Sequence, residues 1–146
     1  MINEKLNKDI LDLINEKATE INNIKGKVLW TNSSASSSFS TQTVTLSSSD
    51  YDMYEIIFKP NISGDDNNRL QSSGRIPKGY GTRLFVGYAG SANAGANIYS
   101  RIVTVTSNTQ INFDKAYWGY GNTVRTENND LVVPIYIIGY KTGLFS

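Results

Sequence analysis

The chain has 146 residues, 14 Lys and Arg against 13 Asp and Glu, a net charge of +1, and neither Cys nor His. That length holds one domain of ordinary size and a short appendage. The near-zero charge argues against a nucleic-acid partner, and without imidazole or thiolate most hydrolytic triads, zinc sites and all disulfides are excluded.

The first segment, MINEKLNKDILDLINEK, mixes acids and bases and lacks the apolar core of a signal peptide. Up to residue 25 there is no Gly, Pro or aromatic residue, which favours a helix. Ile2, Leu6, Ile10, Leu13, Ile21 and Ile24 form its seam, with Lys17 as the exception. The repeat is eleven residues, since Ile2, Leu13 and Ile24 align, and so do Ile10 and Ile21. Such a repeat keeps a seam on one side of a nearly straight bundle. Asn3 is placed to cap the start, and Lys25–Gly26 to stop the helix. Residues 1–25 therefore predict an oligomerisation stalk of coiled-coil type. Packing on the chain's own head is the plainer alternative, but the narrow aliphatic seam favours self-association, with three subunits preferred.

Residues 26–146 carry every aromatic, glycine and proline and predict a β-sandwich head of jelly-roll-like, antiparallel type, so the fold class is mainly β. The expected strands are Lys27–Thr31, Thr41–Ser47, Tyr51–Lys59, Thr82–Tyr88, Asn97–Thr106, Gln110–Trp118 and Leu131–Lys141. Between them lie Ser-rich Asn32–Ser40 and the turn-rich stretches Asn61–Asn68, Pro77–Gly81, Gly87–Gly95 and Gly119–Asp130. In Pro77–Gly81, Gly79 and Gly81 are expected to take backbone angles other residues avoid. The strand Leu131–Lys141 is apolar on both faces, with Ile135 and Ile137 opposite Tyr136, Ile138 and Tyr140. In Tyr51–Lys59, Tyr51, Met53 and Ile57 oppose Tyr54, Ile56 and Phe58. A second apolar face calls for cover, and a neighbouring subunit supplies it most economically. The most apolar run, Leu131–Ile138, is too short to span a bilayer, so no membrane insertion is expected.

Four groups of side chains are candidates for chemistry. Gly64–Asn68, with Asp65 and Asp66, offers oxygen ligands but lacks the spacing of a calcium loop, and a plain turn suits it better. Arg83, with Tyr80 and Tyr88, lies on the Phe85 face of its strand, where an ion pair across a subunit interface would satisfy it. The third group surrounds Ala116–Asn122, where alternation from Ile111 and Phe113 sends Tyr117 inward and Trp118 outward. Trp118 and Tyr120, with Asn122, Arg125 and Asp114 to bond hydroxyls, could bind a glycan, although Trp118 would equally fill an interface. The fourth is the set of head acids Asp50, Asp52, Glu55, Asp65, Asp66, Asp114, Glu127 and Asp130, in which no spacing makes a specific pair for glycoside cleavage. The closing strand reads as core and interface and is not a candidate. No catalytic residue, metal ligand or cofactor is expected.

Three segments carry a resemblance. VLWTNSSASSSFSTQTVTLSSSDYDMYEIIFK (residues 28–59), IPKGYG (76–81) and VPIYIIGYK (133–141) resemble head modules of phage tail-fibre and minor structural proteins from low-GC Gram-positive hosts. The resemblance covers roughly residues 28–141 in texture and strand order, and it identifies no functional residue. It implies a virion protein on tail, baseplate or capsid surface, assembled in the host cytoplasm, trimeric, and often directed at saccharides. The partners expected are two further copies, another virion protein at the N-terminal end and a host surface glycan. A purely structural capsid or tail fibre, or decoration protein, is the second expectation, and a carboxylate-dependent depolymerase a distant third.

Overall fold

The computed structural model describes every residue except 37, 63–68, 90–95, 121–124 and 146, and describes the main chain alone at 88, 89, 96 and 120. One helix, α1 (Ile2–Ile24), precedes the strands. None of its residues is buried, and no described helix is long and apolar enough to cross a membrane.

The start of α1 differs from expectation, while its end falls at the expected Lys25–Gly26 stop but without the left-handed glycine cap. Asn3 lies inside the helix, whose N-cap is Met1 without a side-chain hydrogen bond. At the other end Lys25 is extended and its N–H bonds Ile21 O at 3.1 Å, so no left-handed cap forms. What demands glycine at 26 is space. A Cβ there would overlap Ile138 Cγ2 and lie 2.6 Å from the Tyr140 ring, so the chain enters the head pressed against its last strand.

Among the described residues nine strands follow. They are β1 (Lys27–Thr31), β2 (Gln42–Thr45), β3 (Met53–Lys59), β4 (Gln71–Pro77), β5 (Gly81–Ala89), β6 (Ala96–Val105), β7 (Gln110–Tyr120), β8 (Thr126–Glu127) and β9 (Val133–Tyr140). They form two antiparallel sheets, β1-β9-β3-β4 and β2-β7-β6-β5, with β8 added to β7, packed as a sandwich. The β1–β9 and β2–β7 pairings join strands distant in sequence, while β5–β6–β7 is a simple meander.

The core follows from alternation. Tyr54, Ile56 and Phe58 of β3 and Ile137 of β9 face Val103, Val105, Ile111 and Phe113, all buried. The opposite faces of β3 and β9 are half-buried at Met53, Ile57, Tyr136, Ile138 and Tyr140, and Val28 beside Ile138 is 51% exposed.

Sequence missed β4 and β8. In β4, QSSGRIP has one buried residue, Ile76, and a left-handed Gly74 (φ 71°) in an irregular register with β3. Such a strand exists because β3 offers an edge to pair with, not because its residues prefer extension. The Pro77–Gly81 turn forms, with Tyr80 N–H on Pro77 O and Gly79 at φ 84°. Gly81 differs from expectation, since its φ is not positive; a Cβ there would come within 3.0 Å of Val103 O.

Candidate functional site

The site is set by one irregularity. Val103 pairs with Phe113 and Arg101 with Ala116, so Asp114 and Lys115 of β7 stand opposite Ile102 alone. The extra residue is a β-bulge, and it inverts the inside–outside phase of everything beyond it. Phe113 and Ala116 both face the core. Tyr117 therefore turns to the outer face, and Trp118 returns to the inner one, paired with Tyr99, which packs on the core. The alternation carried straight through from Phe113 is thus corrected at both residues. Trp118 is nevertheless 38% exposed, because it lies at the margin of the sandwich.

Arg101 fastens the bulge. It is fully buried, and its Nη1 donates to Asp114 O. Nε donates to Val132 O at 3.0 Å, and Nη2 reaches Asn129 O and Leu131 O, each at 3.3 Å. All four acceptors are main-chain carbonyls, and the Phe39 ring lies 5.3 Å away. Burial pulls the guanidinium down to about 10, partly opposed by the Asp114 carboxylate, so it stays charged at neutral pH. Asn129 completes the fastening by accepting from Ala116 N–H through Oδ1.

On the outer face above the bulge lies a groove of about 340 Å³. Arg83 of β5, Ile102 of β6, and Asp114, Lys115 and Tyr117 of β7 line it, with Arg125 and Thr41 at its edge. Leu84 is buried and Phe85 51% exposed, so the Arg83–Phe85 face is the outer face and not a core face. Arg83 Nη1 donates to Ser100 Oγ at 3.0 Å, and Ser100 is buried, which fixes the guanidinium over the sheet. Lys115 bonds Glu127 at 2.8 Å, a contact that raises its pKa. Among the described residues Arg125 makes no hydrogen bond or ion pair.

The groove regroups the candidates. Asp114 and Arg125 line it together, joined by Arg83 and Tyr117, while Trp118 does not line it. Tyr120 ends β7, its main chain opposite Asn97. Asn122 lies outside the described residues, as do Asp65, Asp66 and the rest of Gly64–Asn68. Tyr80 sits in the turn after β4 at 61% exposure and does not line the groove; Tyr88 pairs with Asn97 through the main chain.

Two other depressions lie away from this groove. Beside the C-terminus, Asp52 accepts from Thr142 N, Thr142 Oγ1 and Phe145 N at 2.8–3.3 Å. At the C-terminal end of α1, Glu20, Asn23 and Ile24 line the second depression together with Arg75, Lys141 and Thr142. Two of the other acids, Glu55 and Glu127, are similarly engaged. Glu55 accepts from the Tyr140 and Ser72 hydroxyls, and Glu127 from Lys115 and Asn129. Among the described residues no three of His, Cys, Asp or Glu come together as metal ligands would.

Comparisons with known proteins find no match to a family profile, to a curated protein or to a solved structure.

Proposed function

We propose that this chain is a trimeric, stalk-mounted module of a phage fibre or tail tip, a binding rather than catalytic protein whose heads are held out to recognise a host surface glycan. One observation carries the oligomeric part of this reading: α1 exposes eight large aliphatic side chains and buries none. Leu11 and Ile14 are exposed along one side of the six-residue seam, so the aliphatic surface is wider than the narrow seam expected from sequence. Helices in proteins draw most of their stability from packing an apolar face, and a stripe without cover inside its own chain gains most by meeting its like. The eleven-residue repeat keeps that stripe on one side for the full length.

Sedimentation equilibrium at micromolar concentration is the test, with an expected mass of three times the 16.2 kDa chain. A monomer would sink the reading; a dimer would keep the self-association and remove the three-fold order. A purely structural fibre or decoration role is the second reading. It is favoured by the exposed Val28 and Phe85 on the outer faces of the two sheets, which suit contacts between heads.

A further inference from the structure

We propose that the groove over the β7 bulge binds an anionic saccharide, a hydroxylated ring bearing a carboxylate or phosphate. The proposal rests on the head being a recognition module and is independent of the stalk.

The charge comes first. Lys115 is neutralised by Glu127, which leaves Arg83 and Arg125 against the single carboxylate of Asp114. The residual positive charge selects an anion. Guanidinium forks match the planar or tetrahedral oxygens of carboxylate and phosphate. Arg83 is held in advance by the buried Ser100 hydroxyl, so little side-chain freedom is lost when a ligand arrives.

Shape and the remaining groups identify the body of the ligand. The half-buried Tyr117 and the 37% exposed Ile102 supply an aromatic and aliphatic surface, which suits the C–H faces of a sugar ring. Asp114 can only accept hydrogen bonds, and sugar hydroxyls donate them. Small-molecule sites run from roughly 300 to 1,000 Å³, so this groove takes a short saccharide unit. Nucleic acid fits poorly, because it requires a run of cations along a phosphate backbone, and Asp114 interrupts any such run.

Calorimetry on the full-length protein tests this with four probes: a glucuronate-containing oligosaccharide, a glycerol-phosphate oligomer, a neutral oligosaccharide of equal length, and inorganic phosphate. At least one anionic oligomer should bind ten-fold or more tightly than the neutral one, and which of the two binds identifies carboxylate or phosphate as the anion. Arg83→Gln and Arg125→Gln should each cost ten-fold or more, with circular dichroism and sedimentation unchanged. Arg125 is unbonded among the described residues, so its variant keeps the test open even if Arg83→Gln folds poorly. The proposal is overturned if no anionic oligomer binds, if binding survives both variants, or if inorganic phosphate binds as tightly as the oligomers. It is also overturned if Arg83→Gln dissociates the oligomer, because Arg83 would then pair with an acid of a second copy. Should the neutral oligosaccharide bind equally, and bind both variants undiminished, the groove is wrong but recognition of glycan by the head stands.

Discussion

Burying a guanidinium without a carboxylate is costly unless its nitrogens find acceptors, and each of the three nitrogens of Arg101 donates to main-chain oxygens of the bulge or of residues 129–132, four bonds in all. Among these, Val132 lies in the left-handed region (φ 49°), where a β-branched residue is strained. It is held there from two sides, its carbonyl accepting from Arg101 and its N–H donating to Pro60 O. Arg101→Met removes the donors and leaves several carbonyls unsatisfied, which should cost about 3 kcal/mol of stability, read by urea unfolding. A loss well below 1 kcal/mol would mean that water replaces the guanidinium. Arg101 had a legible signal: Tyr99, Arg101, Val103 and Val105 alternate, which puts an arginine on a core face. Trp118 had none, because the bulge at Asp114–Lys115 contains no glycine or proline to announce it, and every residue beyond it changes face.

Among the elements, legibility followed side-chain preference. Strand β1 has the expected bounds, and β3, β6 and β9 lie within or close to theirs, since each is rich in β-branched and aromatic residues. The stretches fixed by tertiary partners were not legible. β4 pairs with β3 despite its Ser-Ser-Gly, β8 with β7, and the C-terminal tail is held by Asp52. Asp52 gives that tail a pH dependence. Burial acts to raise its pKa, but the Thr142 main-chain and hydroxyl bonds, with those from Phe145 and Gly143, outweigh it and hold the carboxyl below its ordinary value. A depressed carboxylate contributes stability above the unfolded pKa, and that contribution fades as pH falls through the folded one. Melting temperatures of wild type and Asp52→Asn should therefore differ near neutrality, and the gap should begin to close below about pH 4 and vanish only once the pH passes the lowered folded value. A gap that stays constant with pH would assign the role of Asp52 to shape rather than charge.

In the whole molecule, the chain passes from α1 into the head at Gly26, pressed against Ile138 and Tyr140, and no residue of α1 is buried. The head's core of Tyr54, Ile56, Phe58 and their partners is complete without α1. A chain lacking residues 1–25 should therefore keep its β circular dichroism and unfold cooperatively. Its association is a separate matter, because two apolar surfaces are available for it. The stalk offers eight exposed aliphatic residues in one helix, while the head offers half-buried Ile57, Tyr136 and Ile138 with exposed Val28 alongside. The head surface adjoins the base of the stalk, so bundling of the stalks would bring these patches toward one another. If the proposed trimer forms, the truncated protein should then remain oligomeric but dissociate at a concentration at least ten-fold higher than the full chain does. Its melting temperature should fall and become concentration-dependent, since dilution removes subunits that stabilise the fold. Sedimentation over a dilution series separates the outcomes. A folded monomer at every concentration would assign all association to α1 and leave the apolar outer faces of the head without a partner. A trimer of undiminished strength would assign association to the head, with the exposed stripe of α1 left for another protein.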